Sequence, residues 1–168
     1  TLLKELTSTS LTNTSAKAGV KYYYKVRAIN STPDAASEFS AILSRTCDLP
    51  RPTVNVSNVA STGKIKLTWD LIDGAVNYKV YRSTDNKTWT LLKTTSGTSL
   101  TNTSTTAGTK YYYKVYAIHS NTSANSAYSS IVSRTCDLAR PTVSITNVAS
   151  SGKIKLTWEK VDGAKSYK

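Results

Sequence analysis

Shifted by 89 residues, the chain aligns with itself without a gap, and no other feature constrains its fold as tightly. Residues 1–79 meet residues 90–168, and 52 of the 79 pairs are identical. Leu2 falls on Leu91, Tyr22 on Tyr111, Cys47 on Cys136, Pro52 on Pro141 and Trp69 on Trp158. The differences gather at Glu5–Ser8 and Thr32–Ala41, where surface loops are expected. The stretches "SRTCDLPRPTV" (Ser44–Val54) and "SRTCDLARPTV" (Ser133–Val143) carry the X-Pro pair present in both copies. Proline holds the residue before it extended and suits the start of an edge strand, which places unit boundaries near Pro50 and Ala139. The expected organisation is the C-terminal part of one repeat at 1–50, a complete repeat at 51–139 and the N-terminal part of the next at 140–168. The joining stretches are a few residues long, too short for free swinging. The 168 residues contain no methionine, which suggests a segment of something longer.

Composition points to an all-β chain. Threonine and tyrosine favour strands, and the 11 tyrosines sit in a sequence with little helical patterning. No apolar run approaches the roughly 20 residues that span a bilayer, so membrane insertion is not expected. The formal charge of +12 is large for this length, yet it is spread along the chain and forms no focused stripe, which argues against nucleic acid as a partner. Cys47 and Cys136 hold equivalent places in consecutive units, which a head-to-tail array keeps a domain length apart. A bond between them is not expected.

Within 51–139 the side chains alternate. In "GKIKLTWD", Ile65, Leu67 and Trp69 share one face and Lys64, Lys66 and Thr68 the other, as in a half-buried antiparallel strand. "DGA" at Asp73–Ala75 signals a turn, and "NYKVYRS" follows with Tyr78 and Val80 inward and Lys79 and Tyr81 outward. "TDNK" at Thr84–Lys87 turns the chain into "TWTLLKTT". A short strand around Leu100, the longest strand in "AGTKYYYKVYAI" and a last one in "YSSIVSRTC" complete the reading. Seven short strands in about 89 residues suit a small two-sheet sandwich.

These residues carry a resemblance. Trp69 in "KLTWD", Tyr78 and Val80 in "GAVNYKVYRS", and Gly108, Tyr111, Val115 and Ala117 in "AGTKYYYKVYAI" resemble the fibronectin type III domain, as arrayed in bacterial cell-surface and secreted proteins. The resemblance implies tandem immunoglobulin-like antiparallel sandwiches of seven strands each. Tyr22 and Tyr111 then take the family's structural corner, the hydroxyl bonding to nearby backbone. The family usually has Leu-x-Pro-Gly before that tyrosine; here Thr105, Thr106, Ala107 and Gly108 stand there, which should loosen the corner without removing it. An immunoglobulin domain proper would need two cysteines for its inter-sheet disulfide, and each unit has one.

Catalytic and metal-binding patterns are not apparent. His119 is the single histidine, and its counterpart in the first copy is Asn30, so a polar residue ending a strand is the simpler reading. Acidic clusters of calcium-binding type, Cys/His metal spacings and phosphate-cradling glycine loops are not found. No cofactor and no enzymatic activity are expected. Cys136 reads as a quiet core thiol or as a cross-linking one. Asn-x-Ser/Thr triplets begin at Asn55, Asn86, Asn102 and Asn121.

The candidate binding face is what alternation leaves outside. Lys79 and Tyr81 on one strand, and Tyr112, Lys114 and Tyr116 on its expected neighbour, should form one exposed patch of tyrosine and lysine. It could stack on sugars or attract an anionic cell-wall polymer, or it could simply clad the sheet with favourable cross-strand pairs. The expected function is a non-enzymatic, extracellular or cell-surface structural spacer of tandem repeats, part of a longer surface or filamentous protein. Its partners are then neighbouring repeats of the same or adjacent chains. The alternative is an adhesin-like module binding glycan or anionic polymer through that patch.

Overall fold

The computed structural model describes residues 1–30 and 35–168, so part of the divergent stretch Thr32–Ala41 lies outside it. The chain is all-β, its one helical element being the 3-10 turn Thr122–Ala124 among the described residues. The strands are β1 (Lys21–Tyr24), β2 (Leu43–Thr46), β3 (Val54–Val59), β4 (Lys64–Trp69), β5 (Ala75–Ser83), β6 (Thr90–Thr95), β7 (Ser99–Asn102), β8 (Lys110–His119), β9 (Val132–Thr135), β10 (Val143–Val148) and β11 (Lys153–Trp158). Two sheets form the central body, one ordered β3-β4-β7 and the other β6-β5-β8-β9, all antiparallel. On either side lies a separate two-stranded hairpin, β1-β2 and β10-β11.

The core follows from alternation with period 2. Ile65, Leu67 and Trp69 of β4 meet Tyr78 and Val80 of β5 and Tyr111, Tyr113, Val115 and Ala117 of β8 in one buried cluster. The outward residues Lys64, Lys66 and Thr68 keep partial or full exposure, as "GKIKLTWD" predicts. Burying an apolar side chain of this size contributes about 1.5–3 kcal/mol, so this cluster supplies most of the driving force for the central body.

Turns sit where the short polar segments require them. Gly74 of "DGA" has φ +83, a left-handed conformation that glycine adopts without steric cost. In "TDNK" the Asp85 carboxylate accepts from the backbone N–H groups of Lys87 and Thr88, both at 2.8 Å, and from the Ser83 hydroxyl at 2.7 Å. These bonds hold the exposed Asp85 carboxyl well below the usual carboxylate range, Lys87 N–H having the largest share. Past the 3-10 turn the chain lies along β8 with serine hydroxyls in the ladder. Ser126 N–H donates to Ala117 O while Ser126 Oγ accepts from Ala117 N–H, and Ser129 repeats the exchange with Val115.

Candidate functional site

The predicted face forms on β5 and β8, which pair with Lys79 opposite Tyr116, Tyr81 opposite Lys114 and Ser83 opposite Tyr112. All five predicted residues lie on the outer side of the four-stranded sheet, and all five are half-buried rather than freely exposed. Three of them, Tyr81, Lys114 and Tyr116, make contacts with one another and with two further aromatics. The Tyr81 and Tyr116 rings stack at 6.3 Å between centroids, and Tyr128 meets them edge-on at 5.7 and 5.0 Å. Lys114 Nζ lies 4.3 Å from the Trp89 ring centroid, 4.3 Å from that of Tyr128 and 6.0 Å from that of Tyr81, within cation–π range of all three. Burial among these rings, followed by the Tyr81 hydroxyl, raises the Tyr128 phenol above its ordinary value. Tyr112 stands apart from this group, with Lys110 Nζ 5.2 Å above its ring.

Tyr128 and Trp89 belong to this face and alternation along β5 and β8 does not reveal them. Trp89 precedes β6, and Tyr128 lies in the irregular stretch between the two bonded serines. A signal for Tyr128 existed in the repeat, because its counterpart Phe39 is also aromatic and Lys114 recurs as Lys25. Lys25 Nζ stands 3.9 Å from the Phe39 ring, as Lys114 stands over Tyr128. Arg27, which replaces Tyr116 in the first copy, lies over the same phenylalanine at 5.1 Å.

The corner tyrosines both make a backbone bond. Thr106 N–H donates to the Tyr111 hydroxyl and Lys17 N–H to that of Tyr22, each at 3.0 Å. A second bond of this kind ties Ile72 N–H to the Tyr78 hydroxyl at 2.9 Å. The third tyrosine of "KYYYKV" is buried as Tyr113, and its hydroxyl accepts from Asn102 Nδ2 at 2.9 Å. That bond and the near-complete burial of Asn102 also remove the Asn102 triplet from the accessible surface.

His119 is placed where two parts of the chain meet. It ends β8, its Nδ1 accepts from Asn121 N–H at 2.9 Å, and its ring lies against Gly19 of the first segment. A Cβ on Gly19 would stand 2.5 Å from His119 Cε1, closer than side chains pack, and Gly19 also has φ +82. Asn121 Nδ2 donates to Gly19 O at 3.2 Å and Leu49 N–H to Ala124 O at 2.8 Å. Leu49 is 3% exposed and joins the central core, whereas its counterpart Leu138 is 45% exposed. At the far end of the central body, Arg140 N–H donates to Ala60 O at 2.8 Å. Cys47 and Cys136 are both free thiols; Cys136 is buried and its Sγ donates to Gly63 O at 2.8 Å.

Known proteins resemble the central body. Residues 55–127 match the family model described as a PBP1-like, fibronectin3-like domain. A 71-residue stretch is 34% identical to an amylopullulanase of Thermoanaerobacter thermohydrosulfuricus, covering 41% of this chain and 5% of that enzyme. A 75-residue stretch is 35% identical to an amylopullulanase of Thermoanaerobacterium saccharolyticum, covering 42% of this chain and 6% of that one. The chain thus spans about a twentieth of the length of these relatives. Among solved structures, an Fn3-like protein from Clostridium thermocellum is 33% identical with a TM-score of 0.42, covering 51% of this chain and 90% of that one. The family match supports a fibronectin type III domain in the centre of the chain.

Proposed function

We propose that the chain is a non-enzymatic structural spacer, a piece of an extracellular array of fibronectin type III repeats within a longer surface or filamentous protein. The observation that carries this reading is the seam at Gly19, His119 and Leu49. A spacer needs joints that do not swing, and here a buried leucine, two hydrogen bonds and a glycine too close to a ring for any side chain hold one segment against the next. Near-identical units joined by such seams add reach in proportion to their number. The partial coverage of two much longer enzymes supports a module set beside other domains.

A second reading uses the outer face as a glycan or anionic-polymer site, with Lys79, Tyr81, Tyr112, Lys114 and Tyr116 in contact. Aromatic rings and cations on one sheet face favour it. Against it, Tyr81, Tyr116, Tyr128 and Lys114 already occupy one another, so a sugar would have to displace Lys114 from its rings.

Small-angle scattering of the full chain, at a dilution where it is monomeric, tests the spacer reading. The expected result is an elongated particle with one fixed shape, and a Gly19→Val variant whose profile turns flexible. A wild-type profile already as flexible as the variant's would defeat it. Binding of soluble glycan or teichoic-type polymer that is lost in a Tyr112→Ala, Lys114→Ala double variant with unaltered melting would favour the second reading instead.

A further inference from the structure

We infer that the outer face of the four-stranded sheet binds a linear phosphodiester polymer through lysines that its own rings hold in place. This rests on the second reading of that face and names the ligand class.

The first ground is charge. Strands β5, β6, β8 and β9 contain no aspartate or glutamate. Lys79, Lys110 and Lys114 share the outer side by period 2. Lys79 is paired with Tyr116, so it stands diagonally from Lys114 at about 7 Å, and Lys110 lies about 13 Å back along β8. The ion pairs among the described residues, Arg45 with Asp48 and Arg134 with Asp137, leave all three out. The nearby Asp85 carboxylate is taken up by its own turn. A row of ammonium groups with no acid beside it is complementary to a chain of negative charges.

The second ground is what the rings do. Lys114 Nζ lies over Trp89 and Tyr128, and Lys110 Nζ over Tyr112. Both placements recur in the first copy, where Lys21 Nζ is 5.4 Å from the Tyr23 centroid and Lys25 Nζ 3.9 Å from that of Phe39. Where that copy lacks the Tyr116 ring it has Arg27, a further cation over Phe39. The two copies therefore share held cations, and an aromatic gives way to a charge between them. A lysine fixed on a ring has already lost much of the rotamer freedom that binding would cost it. Rings covered by ammonium groups are also not free to stack on a neutral sugar or a nucleobase. Lysine meets phosphate as a point charge, without the planar fork by which arginine pairs a carboxylate.

Calorimetric titration of the full chain with poly(glycerol phosphate), beside neutral dextran and an oligothymidylate of matched charge, tests it. Wild type is expected to bind the phosphate polymer most tightly, with affinity falling as salt rises. Lys25→Gln combined with Lys114→Gln is expected to weaken binding about tenfold. Phe39→Leu combined with Tyr128→Leu keeps every charge but releases the lysines, and is expected to weaken binding about threefold. Lys66→Gln combined with Lys155→Gln removes the same charge from strands outside this sheet and is expected to stay within about twofold of wild type. Unchanged melting temperatures confine these effects to the face, and the lysine variants decide alone if the ring variant melts early. An equal loss in the Lys66 and Lys155 variant would reduce the binding to general attraction by a chain of charge +12 and overturn the proposal. So would a well-folded ring variant of wild-type affinity, or oligothymidylate bound as tightly as the phosphate polymer. Dextran bound as tightly would overturn it while keeping a glycan site on this face, and binding of none of the three ends both.

Discussion

The seven residues GKIKLTW occur at Gly63–Trp69 and again at Gly152–Trp158, and the two copies have different fates. Both form the second strand of a hairpin with the same register, Val54 opposite Trp69 and Val143 opposite Trp158. Yet Leu67 is fully buried and Leu156 is 54% exposed. "KYYYKV" shows the same division. In β8 it opens a ten-residue strand flanked by β5 and β9, whereas in the first copy only the four residues of β1 are strand, with β2 alone beside them. Tyr113 is fully buried and Tyr24 is 37% exposed. Hairpin register is a local property of turn and ladder, while burial and strand length depend on a second sheet and a second neighbour.

Matched substitutions turn this comparison into measurements. The largest contrast is expected between Leu67→Ala and Leu156→Ala. The first opens a cavity in a close-packed core and should cost about 3 kcal/mol, lowering the calorimetric melting temperature of the central body by roughly 15 °C. The second removes an exposed side chain and should leave that transition within about 0.5 kcal/mol. Equal effects would mean that the tail hairpin is as well packed as the centre.

Tyr113→Phe against Tyr24→Phe should give a smaller contrast. Removing the Tyr113 hydroxyl leaves buried Asn102 Nδ2 without its acceptor and should cost about 1–2 kcal/mol in a denaturant titration, while Tyr24→Phe leaves an Asn13 that water can reach. Burial also pushes the Tyr113 phenol up to about 12 from 10.0, the Asn102 bond opposing the shift. Because the folded value is the higher one, this contribution is intact below about pH 10 and is lost as pH rises through 12. Melting temperature should therefore fall over that alkaline range in wild type and fall less steeply in Tyr113→Phe.

The smallest effect is expected at Asp85, whose turn has no counterpart in either end segment and so reports on the central body alone. Its folded value lies below the ordinary 3.8, so its contribution is present above that pH and is lost as pH falls through the lower folded value. Asp85→Asn should lower the melting temperature slightly at neutral pH and flatten the acid limb, the two profiles converging as Asp85 is protonated. An acid limb identical to wild type would show that Asp85 titrates alike in the folded and unfolded chain and overturn this prediction.

Much of this was legible in advance. The alternation in "GKIKLTWD" and "NYKVYRS" assigns Ile65, Leu67, Trp69, Tyr78 and Val80 to the interior, because period 2 directly states which side of a strand a residue takes. The corner bonds of Tyr22 and Tyr111 form despite the missing leucine and proline, since they need only a tyrosine hydroxyl and the N–H of the residue five before it. The state of the outer face was not legible. Lys79, Tyr81, Tyr112, Lys114 and Tyr116 lie on the predicted side, but Trp89 and Tyr128 arrive from loops and cover part of it, and alternation carries no information about loops. His119 looked like a strand end and is one. Its packing on Gly19, a hundred residues earlier, follows from how two segments dock and from no local pattern.

By itself the sequence determined the strands, their faces and the length of the repeating unit, because these depend on side-chain period, turn residues and self-similarity along the chain. The tertiary structure alone decided which copy of an identical strand is buried, which rings enclose Lys114 and where His119 meets Gly19. Those outcomes depend on which surfaces meet in space, and side-chain period along one strand carries no record of that.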